Sequence, residues 1–168
     1  IEFRPRQPAA EVRFLICAGF KEKKGIPYAL QALGRVLEER SFPCQVVLIG
    51  DGPDRPHVLE AIAQAGLEQQ VELRGMQPYS KLREELPRCH ILLQPSVTAV
   101  DGDSEGGAPV ILLDAQASGM PVVATYHADI PEYVLDGQSG LLAPERDVEA
   151  LAHCIRTLVD QPEQWAAM

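Results

Sequence analysis

Short apolar runs alternate along the chain with longer segments in which apolar residues recur every three or four positions. The runs are bounded by Gly, Pro or polar residues, as buried strands tend to be, and the longer segments have the spacing of amphipathic helices. The predicted strands cover residues 12–18, 44–50, 71–73, 91–94, 121–125 and 141–143. The predicted helices cover residues 28–39, 56–65, 80–88, 109–118 and 148–160.

This alternation predicts an α/β fold, specifically a Rossmann-like doubly wound parallel sheet. Consecutive parallel strands need crossover helices, and right-handed crossovers place helices on both faces of the sheet. In such sheets ligands bind outside the carboxyl ends of the strands. The loops that follow the strands are therefore where a site is expected.

The composition is that of one folded domain. The 168 residues are 46% hydrophobic and 23% charged, which is close to the globular average and argues against disorder. Residues 1–11, rich in Pro and Arg, are expected to be a linker, and residues 12–168 are expected to form the domain. Because the chain begins without Met, we expect a piece of a longer protein. No apolar run is long enough to span a bilayer, so any membrane association is expected to come from the missing part.

Charge and cysteine content narrow the partners and the location. The net charge of −9 disfavours nucleic acid, because phosphate binding needs an excess of Lys and Arg. The cysteines and histidines show none of the usual metal-ligand spacings, so no metal site is expected. We interpret the cysteines as reduced, and we therefore expect a cytoplasmic protein. Peripheral association with the inner face of the membrane is compatible with that location.

Three loops after predicted strands carry candidate binding groups. In GFKEKKG, at residues 19–25, Lys24 lies just before Gly25, so the lysine and the amides of the next helix can face a phosphate. The alternative is a solvated charged turn, the default for exposed Lys and Glu. The loop GDGPDRP is interpreted as a structural turn. After the third strand, the kinked backbone at Gly75 and Met76 is placed to grip a base through main-chain groups.

Two carboxylates flank a glycine pair in the stretch after the fourth strand, GDSEGGAPVILLDAQASG. The glycines let the backbone approach a ligand, and the N-terminus of the helix predicted at 109–118 favours an anion. Asp114 lies ~7.5 Å beyond Pro109 along the helix axis, so Glu105 and Asp114 can hold hydroxyls at two ends of an extended ligand. The alternative is that Glu105 caps the helix and Asp114 points into solvent. A nucleotide sugar fits the lysines, the helix end and the carboxylates together.

These motifs resemble the C-terminal, donor-binding domain of retaining GT-B glycosyltransferases, the glycosyl transferases group 1 or glycogen-synthase-like family. The matching pieces follow the order of the family: GFKEKKGIPYALQAL, IGDGPDRPHVLE, VELRGMQP, ILLQPS, the stretch with the two carboxylates, and IPEYVLDGQSGLLAP. The resemblance implies one Rossmann-like half of a GT-B enzyme whose N-terminal acceptor domain is absent from this chain.

The resemblance also assigns roles residue by residue. Lys24 and Glu105 are implied as the catalytic residues, with Lys24 on the diphosphate and Glu105 on hydroxyls of the donor sugar, while Asp114 is implied on the ribose. The donor-binding residues that the resemblance implies are Gly19, Lys24, Gly75, Met76, Glu105, Gly106, Gly107, Ala108, Pro109, Val110 and Asp114.

Several positions depart from the family pattern. The position of the family's first-loop Arg falls at Gly19, so Lys21 or Lys23 is the candidate replacement. Glu105 and Asp114 are separated by one residue more than is usual in the family, and Asp114 stands where Glu is common.

The implied activity is transfer of a sugar from a nucleoside diphosphate sugar, with UDP favoured over GDP or ADP, with retained configuration and with neither metal nor cofactor. The acceptor is implied to be a glycan, a lipid-linked molecule or a small molecule in polysaccharide or cell-envelope synthesis. The isolated domain is expected to bind the donor without transferring the sugar. His127 is interpreted as a hydrogen-bonded loop residue and not as a catalyst.

Two alternatives stay open. One is a nucleotide-sugar-binding or regulatory domain without catalysis, which the departure at Gly19 permits. The other is a doubly wound module unrelated to sugars, such as a receiver domain, although no Asp ends the first predicted strand.

Overall fold

The computed structural model describes residues 1–168. Six parallel strands form one sheet, and each apolar run of the sequence contributes one of them. The strands are β1 (Val12–Cys17), β2 (Cys44–Ile49), β3 (Val71–Gly75), β4 (Ile91–Gln94), β5 (Val122–Thr125) and β6 (Gly140–Ala143).

Helices connect every pair of consecutive strands, as parallel pairing requires. None of the helices combines the length and the apolar character needed to cross a membrane. The helices are α1 (Ile26–Glu39), α2 (Arg55–Gln64), α3 (Tyr79–Glu85), α4 (Val110–Ala117), α5 (Ile130–Tyr133) and α6 (Val148–Asp160). Short 3₁₀ turns lie at Glu22–Lys24, Leu86–Arg88 and Pro162–Ala167.

The strand order is β3-β2-β1-β4-β5-β6, so the chain winds outward from β1 in one direction and from β4 in the other. β1 and β4 are neighbours at the centre, where Phe14 lies between Val46 of β2 and Ile91 of β4. The order of winding reverses at this point, which is where loops diverge and leave a crevice at the carboxyl edge. The predicted doubly wound sheet is confirmed.

Two apolar cores cover the two faces of the sheet. Phe14 and Ile16 of β1 belong to the core beneath α1, α2 and α6, whereas Leu15 points into the core beneath α3, α4 and α5. Alternate strand residues serve opposite faces because successive side chains point to opposite sides. Phe14 is fully buried, and a side chain of this size contributes about 1.5–3 kcal/mol by leaving water.

Most predicted element boundaries differ from the observed ones by one to two residues. The largest functional consequence is at Pro109, which was expected inside the first helical turn. Pro109 has φ −59° and ψ 132°, so its ring suits a helix but its ψ is extended, and α4 begins at Val110. Pro109 is the residue before the helix, and its carbonyl accepts a hydrogen bond from Leu112 N at 3.0 Å.

The opening segment, residues 1–11, contains no helix or strand, but it is hydrogen-bonded to the rest of the domain. The Arg6 side chain is only 4% exposed. Its guanidinium donates to the carbonyl oxygens of Cys89 at 2.6 Å, Leu86 at 2.6 Å and Ser118 at 2.7 Å. This arginine binds the segment to the ends of two helical connections on the α3–α4 side of the sheet.

Candidate functional site

The loop after β1 is pressed against the loop after β4. The turn Glu22–Lys24 ends at Gly25, which has φ 60°. A Cβ on Gly25 would lie 1.9 Å from the carbonyl oxygen of Pro95, so only glycine permits this approach of two backbones. Val97 N also donates to the Lys23 carbonyl at 2.9 Å. The contact places Lys24 over the carboxyl end of β4.

Lys24 and Glu105 meet at this point. Lys24 Nζ lies 2.6 Å from Glu105 Oε2, and the two side chains are only 19% and 6% exposed. The other carboxylate oxygen, Glu105 Oε1, accepts from Ser96 Oγ at 2.7 Å, and Ser96 Oγ in turn accepts from Gln94 Nε2 at 2.8 Å. Both oxygens of the Glu105 carboxylate thus have a hydrogen-bond partner, and one of these partners is an ammonium group. A buried carboxylate needs such partners because they compensate for the loss of water.

A histidine and a second carboxylate lie behind Glu105. His127, 2% exposed, accepts from the Glu105 main-chain N–H through Nε2 at 3.1 Å, and its Nδ1 lies 2.6 Å from Glu145 Oε1. Glu145 Oε2 accepts from Thr98 N at 2.8 Å. Desolvation raises the pKa of Glu145, but the hydrogen bonds from Thr98 N and His127 outweigh it and lower the pKa below its usual value. We call Lys24, Ser96, Glu105, His127 and Glu145 the Glu105 cluster.

The connection between Glu105 and α4 consists of two glycines, an alanine and a proline. Gly106 has φ 66° and open space around its Cα, and no side chain caps the first turn of α4. Val110 is 69% exposed. Glu105 therefore does not cap this helix, and the first amides of α4 remain available to an anion together with the positive end of its dipole.

Gly107 and Ala108 complete that connection. Both residues are half-buried, and a Cβ on Gly107 would meet only the Asp129 side chain, at 3.9 Å. The connection thus consists of two glycines, Pro109, and an alanine that packs against the core beneath α3, α4 and α5.

Asp114 lies one turn into α4 and faces the other half of the carboxyl edge. Its Oδ1 accepts from Tyr79 Oη at 3.1 Å. Burial raises the pKa of the Cys17 thiol, at the end of β1, to about 11, and the charge of Asp114 adds to the effect. Asp114 itself is partly exposed. Gly75, with φ 62°, and Met76, 71% exposed, precede Tyr79 in the chain by four and three residues. We call Gly75, Met76, Tyr79 and Asp114 the Asp114 corner.

The remaining lysines of the first loop have other partners. Lys23 Nζ donates to Asp103 Oδ1 at 3.0 Å and to the Ser104 carbonyl at 2.9 Å. Lys21 lines a cavity of about 220 Å³ between the starts of α1 and α2. Neither side chain is hydrogen-bonded to the Glu105 cluster, although Lys23 reaches the main chain of Ser104, the residue before Glu105. The replacement of an arginine at Gly19 by Lys21 or Lys23 stays a prediction.

The structure brings together some predicted site residues and separates others. Lys24 and Glu105 are in direct contact, whereas Asp114 bonds to Tyr79 on α3. No group of three or more His, Cys, Asp or Glu side chains is arranged to hold a metal ion. The geometry offers one ammonium group, one set of helix amides and two carboxylates, which together suit a ligand that carries both phosphates and hydroxyls.

Sequence reasoning missed Ser96, Tyr79 and Glu145, whereas His127 is a hydrogen-bonded loop residue, as it was interpreted from the sequence. Ser96 and Tyr79 bond directly to the two carboxylates, His127 accepts from the main-chain N–H of Glu105, and Glu145 bonds to His127. The sequence signal for Ser96 was present, because this polar residue lies two positions after a fully buried strand, at the edge where ligands bind. No local pattern indicated that Glu145 pairs with His127.

The Glycosyl transferases group 1 family model matches residues 11–161. A doubly wound sheet with an anion-binding carboxyl edge is the architecture shared by many nucleotide-binding proteins. The family match is narrower than this shared architecture, and it shows that the chain belongs to the glycosyl transferases group 1 family.

Curated relatives are longer than this chain. The amylovoran biosynthesis glycosyltransferase AmsK of Erwinia amylovora is 41% identical over 141 residues, which are 84% of this chain and 34% of the relative. The putative colanic acid biosynthesis glycosyltransferase WcaL of Escherichia coli strain K12 is 40% identical over 153 residues, which are 89% of this chain and 37% of the relative. The chain spans about a third of the length of these relatives.

Solved structures share the fold. Anabaena Alr3699/HepE in complex with UDP superposes with a TM-score of 0.79 at 20% identity, over 94% of this chain and 42% of that protein. The C-terminal domain of the glycosyl transferase group 1 family protein LpcC from Francisella tularensis superposes with a TM-score of 0.78 at 20% identity, over 93% of this chain and 79% of that domain. The chain therefore has the fold of a C-terminal GT-B glycosyltransferase domain, as its sequence predicted.

Proposed function

We propose that the chain is the donor-binding half of a retaining, metal-independent glycosyltransferase that uses a nucleoside diphosphate sugar in polysaccharide or cell-envelope glycan synthesis. The observation that carries the proposal is the contact of Lys24 with Glu105 beside the uncapped start of α4. One cation, one helix end and one carboxylate at a single point match the diphosphate and the sugar hydroxyls of such a donor. The names of AmsK and WcaL support the class of pathway.

The proposed chemistry is electrostatic. When the bond between the sugar and the diphosphate breaks, its electron pair stays on the departing phosphate oxygen. Lys24 Nζ and the first amides of α4 stabilise that developing charge without a metal ion, and a single preorganised donor of this kind contributes about a hundred- to a thousandfold in rate. Glu105 accepts hydrogen bonds from the sugar hydroxyls and acts as a positioning group, not as a nucleophile.

Donor binding requires Lys24 to change or share its partner. In the structure its ammonium is bonded to Glu105 at 2.6 Å, and a diphosphate offers it a doubly charged alternative. Glu105 keeps its hydrogen bond from Ser96 when Lys24 turns away. The carboxylate oxygen that Lys24 releases is then the one that receives a sugar hydroxyl.

The Asp114 corner is proposed to hold the nucleoside. The free Oδ2 of Asp114 accepts a ribose hydroxyl, while Tyr79 holds Oδ1 at 3.1 Å. The backbone around Gly75 and Met76 contacts the base. We propose UDP over GDP or ADP because structural neighbours such as Alr3699/HepE were solved with UDP. We also propose that the enzyme is cytoplasmic and that its acceptor is a glycan, a lipid-linked molecule or a small molecule.

Calorimetric titration of this chain with UDP, GDP and ADP and with their common sugar conjugates, in the absence of metal, tests the proposal. We expect one nucleotide to bind selectively and its sugar conjugate to bind more tightly. Asp114→Ala should weaken binding of both, and Glu105→Ala should remove only the gain from the sugar. We expect the chain alone to transfer no sugar, since it covers 34% of AmsK. Equal affinities of all variants for every ligand would refute the assignment.

A donor-binding domain without catalysis is the second candidate. It is favoured by the lack of a cationic side chain at Gly19 and by the hydrogen bond of Lys23 to Asp103. Lys24 is then the only lysine of the first loop that is bonded to Glu105. Slow hydrolysis of the donor by the longer protein would favour the enzyme, and donor binding without hydrolysis or transfer would favour the second candidate.

A further inference from the structure

His127 uses both ring nitrogens although it is almost completely buried. The residue follows β5 and its side chain is 2% exposed. Nε2 lies 3.1 Å from the main-chain nitrogen of Glu105, and Nδ1 lies 2.6 Å from Glu145 Oε1. The proposed chemistry above does not use this residue, so its two hydrogen bonds need a separate explanation.

The hydrogen bond from the main-chain amide of Glu105 identifies the tautomer of His127. A peptide N–H only donates, so Nε2 accepts and carries no proton, and the proton of the neutral ring lies on Nδ1. Nδ1 then donates to Glu145, a carboxylate that only accepts. Glu145 itself is held by Thr98 N at 2.8 Å. The chain of bonds runs in one direction, from Glu105 N–H through the imidazole to Glu145.

The hydrogen bond acts on the part of the loop that is otherwise least constrained. Gly106 and Gly107 follow Glu105, and glycines restrict the backbone less than any other residue. The Glu105 side chain is 6% exposed and must reach both Lys24 and Ser96. A bond at the Glu105 amide fixes the position from which that side chain departs.

We propose that His127 is a positioning residue for Glu105, held in the required tautomer by Glu145. The proposal rests on the proposed function, because Glu105 is taken to bind the hydroxyls of the donor sugar. His127 touches neither donor nor acceptor in this scheme. It acts through the main chain, and its loss should affect the recognition of the sugar more than the recognition of the nucleotide.

The first experiment measures the ratio of the dissociation constant of UDP to that of UDP-glucose, which reports the gain from the sugar. The ratio is measured in the unaltered chain and in His127→Ala, Glu105→Ala, Glu145→Ala and Glu145→Gln. We expect His127→Ala and Glu145→Ala to reduce the ratio about fivefold to tenfold, the effect of one lost hydrogen bond between neutral groups. UDP affinity should change less than about twofold.

Two variants supply the controls. In Glu145→Gln the amide oxygen still accepts from Nδ1, but the amide NH2 replaces the oxygen that accepts from Thr98 N, so the ratio should be retained in part. His153→Ala removes a histidine that is exposed on α6, and it should leave the ratio unchanged. Free imidazole should restore part of the ratio in His127→Ala, because the removed ring leaves a buried space of its own shape.

A spectroscopic measurement keeps the proposal testable if His127→Ala does not fold. Long-range ¹H–¹⁵N spectra of the unaltered chain at neutral pH should show one histidine protonated at Nδ1 and not at Nε2. A proton on Nε2 of His127 overturns the proposal, as does a sugar ratio that His127→Ala leaves intact. Equal losses of UDP and UDP-glucose affinity also overturn it, since they indicate a purely structural role. If the unaltered chain shows no sugar ratio that depends on Glu105, the proposed function fails and this proposal fails with it.

Discussion

The two carboxylates at the carboxyl edge occupy different environments. Glu105 is 6% exposed and both of its oxygens are bonded, to Lys24 and to Ser96. Asp114 is bonded at one oxygen only, to the half-exposed Tyr79. The Glu105 cluster draws its bonds from four separate loops, whereas the Asp114 corner depends on α4 and the segment after β3.

This difference shows where the site is preorganised. A group that is already held in place loses little conformational freedom on binding, and it can stabilise charge without rearrangement. The Glu105 cluster has this property, and it is the part that faces the reacting bond in the proposed function. The Asp114 corner is open, so ordering of Met76 and Tyr79 is expected to accompany nucleotide binding. The following experiments test that contrast, beginning with the largest expected effect.

Lys24→Ala should weaken UDP binding about tenfold to a hundredfold, because a hydrogen bond between an ammonium and a phosphate contributes about 1.5–3 kcal/mol. Calorimetry at two salt concentrations measures the effect, and the loss should be smaller at high salt. Lys21→Ala is the matched control, since Lys21 lines a separate cavity. If both variants bind UDP equally well, the preorganised cation is not Lys24.

Gly19→Arg should strengthen UDP binding about threefold to fivefold by adding a second cation beside the diphosphate. The change is sterically permitted, because the nearest atom to an added Cβ is 3.9 Å away and Gly19 is exposed. Gly19→Ala controls for the loss of glycine and should bind UDP as the unaltered chain does. Tighter binding by Gly19→Ala alone would attribute the gain to backbone rigidity and not to charge.

Tyr79→Phe should weaken UDP binding about twofold to threefold, because it removes one neutral-to-charged hydrogen bond in an exposed setting. The bond joins Tyr79 Oη to Asp114 Oδ1 at 3.1 Å. The expected loss disappears when Asp114 is already replaced by Ala, which a double-mutant cycle measures. Additive losses would mean that Tyr79 contacts the nucleotide independently of Asp114.

The smallest expected effect is the contribution of Glu145 to acid stability. Its pKa is lowered in the folded chain, so its bonds stabilise the fold at neutral pH, and this contribution is lost as the pH falls through the folded-state value. Glu145→Gln removes that dependence, so its melting temperature should fall less on acidification, by about 1–2 °C. Thermal unfolding across the acidic range measures this, with the exposed Glu163→Gln as control. Parallel curves for all three proteins would contradict it.

Much of the fold followed from local patterns. The apolar runs predicted all six strands, and the alternation with helices predicted their parallel pairing, because a buried parallel strand must be apolar on both faces. The bounds of the predicted strands and helices differed from the observed ones at their ends, as at Pro109, where a favourable φ does not reveal ψ. The site was harder. Glu105 was recognisable from its glycine-flanked loop, but Ser96 and His127 bond to it from positions 9 and 22 residues away.

The sequence by itself determined the class of fold and the edge of the sheet where charged residues would gather, because parallel strands deliver every following loop to the same side. Only the tertiary structure decided which lysine of residues 19–25 meets Glu105, and that the meeting depends on the approach of Gly25 to Pro95. It also decided that Arg6 is buried within a segment that reads as a linker. Such pairings depend on loop backbone geometry and on contacts between residues far apart in the chain. The periodicity and spacing of residue types in the sequence predict neither the loop geometry nor these long-range contacts.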